Sequence, residues 1–420
     1  MSDRSKKIFV YENWSSAEPV KIGILHADTI RGREQFSFEY EGVYLQNHKG
    51  NFMLDPDLSF YHGRQYITDK PNFGIFSDSC PDRWGRTLLD RKERFQARKE
   101  ERKPGKLLES DYLLGIYDGS RMGALRFAIE DGGPFLSDDE DGAIPPWEAL
   151  RTLEEASREF ENDSGILDER WLKQLLYPGS SLGGARPKAT VQDTEGSLWI
   201  AKFPSRHDEF NIGAWEKTAH ELACICGICV PPSRLEHFTG KDDTFLVKRF
   251  DRRGAKRIHF SSAMTMLGKK DGSDAADGSS YLEIAEFIRA NGSRPKEDLE
   301  ELWKRIVFNM TISNTDDHLR NHGFLLDKNG WRLSPAYDLN PVPYGDSLSL
   351  NVSMEDNTID FDLAIETSPY YGIPKKQAAD AVKEICSLVG KNWKRIAEKH
   401  GLQRSEIEDM SPAFLKSRQS

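Results

Sequence analysis

Asp316, Asn321 and Asp338 are the residues in this 420-residue chain whose types and spacing best suit them to chemistry. They lie in Asn314-Thr-Asp-Asp-His-Leu-Arg-Asn-His322, which is followed by an apolar run from Gly323 to Leu326 and by Ser334-Pro-Ala-Tyr-Asp-Leu339. Phosphoryl transfer needs one carboxylate to take the proton of an attacking hydroxyl, and oxygen ligands to hold Mg²⁺ against the phosphates. Asp316 fits the base, and Asn321 and Asp338 fit the metal ligands. The step of five positions from Asp316 to Asn321 is that of a kinase catalytic loop, and the 323–326 run reads as a strand able to return the chain to the metal. An ordinary polar turn is the competing account, because Asn, Asp and His are common in loops and Asp338 stands shortly before Pro341.

Such a site needs elements that bind the nucleotide, and the sequence upstream offers them in a workable order. Tyr177-Pro-Gly-Ser-Ser-Leu-Gly-Gly-Ala-Arg-Pro-Lys188 is a loop whose glycines let backbone N–H groups approach phosphate oxygens, with Lys188 adding a point charge; a plain hairpin turn is the alternative. Ser197 to Phe203 reads as a short strand carrying Lys202 near its end. A helix predicted from Ile212 to Cys226 carries Glu216 as that lysine's acidic partner. Taken alone, this pair reads equally as a strand-edge lysine and a helix-face glutamate in water. Thr244 to Arg252 reads as a strand running into a connection between lobes, where free backbone groups suit an adenine edge.

Around these segments the pattern predicts short strands at Ile8–Tyr11, Val20–Leu25, Phe36–Tyr40 and Met122–Ile129, a linker from Glu130 to Pro146, and a helix from Trp147 to Glu161. Helices are predicted over Ser280–Asn291, Lys296–Thr311, Pro374–Val389 with Gly390 as a stop, and Asn392–His400. Strands come first and helices second. The expected fold is therefore α+β and two-lobed: a β-rich N-terminal module over 1–146, a small lobe with the Gly-rich loop over 147–252, and a helical lobe with the catalytic loop over 253–420.

Composition narrows the setting. The chain is 38% hydrophobic and 30% charged, and no apolar run approaches the roughly 20 residues of a membrane span. The N-terminus shows no signal-peptide pattern, and the five cysteines form no evident disulfide framework, so a cytoplasmic protein is expected. Cys224, Cys226 and Cys229 read as structural thiols in preference to metal ligands. A net charge of −10 repels nucleic acid unless a local patch overrides it. The cation-rich stretch from Arg83 to Lys103 is one such patch, but Glu93, Glu100 and Glu101 interrupt it and favour a solvated helix face.

The ordered set Ser181-Leu-Gly-Gly-Ala-Arg-Pro-Lys188, Ile200-Ala-Lys-Phe-Pro204, Val247-Lys-Arg-Phe-Asp-Arg252 with Arg257-Ile-His259, Asn314 to Asn321, and Tyr337-Asp338 resembles the HipA-like serine/threonine kinases, toxin components of bacterial type II toxin-antitoxin systems. The resemblance spans most of the chain. It implies a protein-kinase-like fold using ATP and Mg²⁺, with Asp316 as catalytic base and Asn321 and Asp338 on the metal. It implies nucleotide contacts from Ser181, Gly183, Gly184, Lys188, Lys202 paired with Glu216, the Lys248-Arg249-Phe250 connection, and His318. Ser181, or its neighbour Ser180, becomes the autophosphorylation site: a phosphoserine adds about −1.5 to −2 charges in the loop that would cradle ATP. Trp215 stands where a small polar residue such as Asn precedes the helix glutamate in the family. The partners implied are a DNA-binding antitoxin, with DNA met only through that complex, and a protein substrate that in characterised relatives is an aminoacyl-tRNA synthetase; no membrane partner is implied. A small-molecule kinase shares the same base, Asn and Asp logic, and a catalytically silent partner of a repressor is the reading from another class.

Overall fold

The computed structural model of the protein describes residues 5–47, 52–136, 144–162, 175 and 184–416. The chain divides into two compact units, residues 1–206 with 248–261 and residues 207–247 with 262–420.

The first unit is built on an antiparallel sheet of five strands in the order β4-β3-β2-β1-β5: β1 (Ser5–Glu12), β2 (Val20–Ile30), β3 (Arg33–Tyr40), β4 (Gln65–Tyr66) and β5 (Leu125–Ala128). Alternation along the strands turns Ile8, Val10, Ile22, Leu25, Phe36, Phe38 and Phe127 into one buried cluster, to which the short α2 (Gly74–Ser77) adds Phe76 and its N-cap residue Phe73; α1 (Gly42–Asn47) precedes it. The cation-rich stretch forms α3 (Arg83–Lys99), N-capped by the Asp82 side chain on Gly85 N–H. Several of its cations serve the fold. Arg86 forks onto Glu109 at 2.7 Å through each amine, and Arg91 lies over the Phe160 ring. After α4 (Glu109–Leu114) and α5 (Leu150–Glu161), β6 (Lys188–Gln192) pairs antiparallel with β7 (Leu198–Lys202), placing Lys188 opposite Lys202.

The 248–261 segment belongs to the same unit, fastened by charge. Asp251, fully buried, accepts from Arg249, from Arg252 and from the Gly123 N–H, and Arg257 reaches Asp118 at 2.7 Å. The carboxyl of Asp251 is held well below the ordinary range: burial opposes its charge, and the Arg249 and Arg252 guanidiniums outweigh burial.

The second unit carries α6 (Ile212–Ile225), the hairpin of β8 (Ser233–Glu236) with β9 (Thr244–Lys248, whose last residue is counted with the first unit), α7 (Ala263–Met266), α8 (Tyr281–Asn291) and α9 (Pro295–Thr311). The hairpin β10 (Gly323–Asp327)/β11 (Gly330–Leu333) follows, then α10 (Phe361–Thr367), α11 (Lys375–Lys399) and α12 (Arg404–Met410). Ser280 and Glu283 form a capping box at the start of α8, and Pro295 opens α9, as their types dictate. The predicted stop at Gly390 is corrected: α11 runs unbroken for 25 residues. A helical glycine costs only about 1 kcal/mol, while Ile385, Val389, Trp393 and Ile396 continue one buried stripe across it. No described helix is long and apolar enough to cross a membrane.

Candidate active site

Helix α9 delivers the chain to the site and stops abruptly. Asn314 N–H donates to the Asn309 carbonyl at 2.9 Å while Ser313 takes a left-handed φ of 48°, a helix-ending arrangement that usually employs glycine. The loop then alternates sides. Asp316 is exposed, Asp317 is buried, and the turn Leu319–Asn321 leads into β10. Asn321 donates its side-chain amide to the Asp316 carbonyl at 2.9 Å, which leaves Oδ1 as the atom able to meet a cation.

The β10/β11 hairpin folds the chain back, with Ser334 N–H on the Gly323 carbonyl at 2.8 Å, and Tyr337 donates its hydroxyl to the Arg320 carbonyl at 2.7 Å. Asp338 follows, itself left-handed at φ 59°, a strained conformation of the kind held at functional sites. Its charge reaches Asp316. The Asp316 carboxyl is raised above the ordinary range, chiefly by partial desolvation; His318 opposes the rise, and the Asp338 and Asp317 charges add to it by less. A carboxylate so raised is a better proton acceptor than a free one. Asp338 and the Asn321 Oδ1 are hard oxygen donors of the class Mg²⁺ prefers, and two protein ligands leave positions for phosphate and water. No group of three or more His, Cys, Asp or Glu placed to hold a metal occurs among the described residues.

Beneath Asp316 lies a network of buried polar groups that sequence reasoning missed. Asp317 Oδ2 accepts from Tyr281 Oη at 2.6 Å and from Asn309 Nδ2 at 2.7 Å, and His322 Nε2 faces it at 2.9 Å. Asn309 Oδ1 accepts in turn from Asn314 Nδ2 at 3.1 Å. Burial raises the Asp317 carboxyl, and His322 with Tyr281 more than reverses this, so it lies below the ordinary range. The doubled Asp and the second His of the motif were the available signal. A third support comes from the chain after Asp338: Ser349 donates its hydroxyl to the Thr315 carbonyl at 2.7 Å, and Gly345 packs so closely that a Cβ there would stand 2.0 Å from Thr315 Cγ2.

The other predicted residues are placed as follows. Ser180, Ser181 and Gly183 lie outside the described residues. Gly184 has φ 89°, and Lys188, 2% exposed, pairs with Asp82 at 3.0 Å while its carbonyl accepts from the Trp84 indole at 3.1 Å. Lys202 ends β7 in the first unit; Glu216 is buried on α6 in the second. Trp215 is buried beside it, its ring centroid 6.2 Å from that of Phe414, so the departure from the family residue fills core. The Arg249 backbone N–H donates to the Leu198 carbonyl at 2.9 Å, and its guanidinium reaches the Ser120 and Arg121 carbonyls. Lys248 is half-buried, and the Phe250 ring faces Phe260. His318 N–H donates to the Asp316 carbonyl at 3.0 Å. Of the predicted residues, Asn321 is hydrogen-bonded to Asp316, and the Asp338 charge is among the causes that raise the Asp316 carboxyl.

Residues 180–393, half of the chain, match the family described as the HipA-like C-terminal domain. The chain belongs to that family. Among relatives of this HipA-like chain, a Haemophilus influenzae protein designated a candidate kinase is 35% identical over 193 residues, covering 41% of this chain and 56% of its own length. The serine/threonine-protein kinase toxin HipA of Shewanella oneidensis is 25% identical over 278 residues, 58% of this chain and 62% of that protein. The HipA-like chain matches less than two thirds of the length of either relative. In three dimensions it has the fold of a chain in the solved complex of the Shewanella oneidensis MR-1 toxin-antitoxin system HipA, HipB and its operator DNA, with a TM-score of 0.67, 17% identity, and 98% and 95% of the two chains covered.

Proposed function

We propose that this HipA-like protein is an ATP- and Mg²⁺-dependent protein serine/threonine kinase of the toxin type. The observation that carries the reading is the coupling of Asp316, Asn321 and Asp338: an exposed carboxylate raised in pKa, a neighbouring amide latched to its carbonyl, and a second carboxylate whose charge it feels. In this reading the two-lobed kinase plan applies, with modules at 1–146, 147–252 and 253–420. Asp316 accepts the proton of the substrate hydroxyl, and Asn321 and Asp338 hold Mg²⁺ against the transferring phosphoryl group. Lys202, paired with Glu216, would contact the α and β phosphates; the backbone around Lys248 and Phe250 would take the adenine. Ser181, or Ser180, is the autophosphorylation site that silences the Gly-rich loop.

The partners we propose are a cytoplasmic protein substrate, of which an aminoacyl-tRNA synthetase is the class the family suggests, and a DNA-binding antitoxin. The relatives' names and the toxin-antitoxin complex that contains a chain of this fold support the direction. Incubation with labelled ATP and Mg²⁺, followed by mass spectrometry, tests the reading. Phosphate on Ser181 or Ser180, abolished by Asp316→Asn, is the expected outcome; a wild-type protein that neither binds ATP nor incorporates phosphate would overturn it.

A further inference from the structure

We propose that Asp317 is a positioning residue, whose buried carboxylate sets the conformation of loop 314–322 and thereby aims Asp316 and Asn321. It touches no substrate. One oxygen of Asp317 gathers donors from three places in the chain: Tyr281 on α8, Asn309 on α9, and His322 at the far end of the loop itself. All four residues are at most 3% exposed. A buried carboxylate is tolerated only while such partners persist, so the network has one low-energy arrangement.

Four further links, one covalent and three hydrogen-bonded, carry that arrangement through the loop. Asp316 and Asp317 share a peptide unit, so fixing the inward side chain fixes the backbone from which the outward one projects. Asn321 is tied to the Asp316 carbonyl at 2.9 Å and follows it. His322, at the closing end, accepts the Ala263 N–H on its carbonyl at 2.8 Å, and Asn314, at the opening end, is held by Asn309. Groups that hold active ligands in place are typically worth about 10–100-fold in activity without meeting the substrate.

The inference rests on the kinase reading only where activity is measured. Asp317→Asn keeps the shape and removes the charge, and Tyr281→Phe removes a single donor at a site where the ring still fills its space. In the full chain, kcat for phosphoryl transfer, KM for Mg·ATP and amide hydrogen exchange are compared. For Asp317→Asn we expect kcat to fall about 10–100-fold, KM for Mg·ATP to stay within about twofold of wild type, and exchange to rise over 314–322 but not over α11. Tyr281→Phe should move the same readouts in the same direction by less. Should Asp317→Asn fail to fold, Tyr281→Phe decides alone. Wild-type kcat and wild-type exchange in 314–322 for the folded variants would overturn the inference, as would exchange rising equally across the unit. If wild type transfers no phosphate, the kinase reading falls, and the exchange measurement still decides the role of Asp317.

Discussion

The side-chain amide of Asn321 donates to the backbone carbonyl of Asp316 at 2.9 Å, so one residue closes loop 314–322 and, on the kinase reading, also offers its Oδ1 to a cation. These two duties are separable by substitution. Asn321→Asp keeps the oxygens and loses the donor; Asn321→Ala loses both. On the kinase reading, Asn321→Asp should retain most of its Mg²⁺ dependence while kcat drops, and Asn321→Ala should need far more Mg²⁺ and lose about 100-fold or more in rate. Titrating Mg²⁺ against initial rate for both variants checks this, and matching Mg²⁺ curves for wild type and Asn321→Ala would remove Asn321 from the metal.

The surroundings of Asp316 disfavour its charge. Its carboxyl is raised in the folded state, chiefly by desolvation, so the folded protein holds that proton more tightly than the unfolded chain does. Stability is therefore lost as pH rises from the ordinary carboxylate pKa of about 4 through the raised value. Asp316→Asn should melt at a higher temperature than wild type at neutral pH without Mg²⁺, and the gap should close at acid pH. Melting curves across pH test the sign. A gap that widened toward acid would contradict it.

Lys188 was expected at the phosphates, and it is buried against Asp82. Removing one member of such a pair strands the other charge, at about 3–5 kcal/mol. Lys188→Met should thus lower unfolding stability by about that much, and the double variant with Asp82→Asn should recover part of it. Denaturant unfolding of the single and double variants measures the coupling. An unchanged stability with a raised KM for ATP would instead return Lys188 to the nucleotide.

Gly345 has no room for a side chain because Thr315 occupies the place. Gly345→Ala should push the 315–316 backbone and cut phosphoryl transfer, and Thr315→Ser, which removes the offending methyl, should restore it in the double variant. Activity of the three proteins is the readout; failure of Thr315→Ser to rescue would mean the damage lies elsewhere.

What the sequence made legible follows periodicity and spacing. The alternating run at Phe36–Tyr40 became β3, the capping box at Ser280 began α8, and the step from Asp316 to Asn321 is spanned by a hydrogen bond from the Asn321 amide to the Asp316 carbonyl. Partners distant in sequence were hidden. Asp82 lies 106 positions from Lys188 and Tyr281 lies 36 from Asp317, and no local pattern encodes such meetings. Gly390 misled for a related reason: its local preference to end a helix is small, and burial of Val389 and Trp393, which depends on the whole unit, overrides it.

The convergence of donors on Asp317 also orders events in time. Its partners come from α8, from α9 and from beyond the loop, so the loop cannot reach its final shape until those helices have docked. Helix formation is fast and local, whereas this convergence is late and tertiary. In refolding we expect helical circular dichroism to return before phosphoryl transfer, and simultaneous recovery would contradict that order. On the kinase reading, a partly folded molecule would then carry every residue of the site without yet holding them in the arrangement that transfers phosphate.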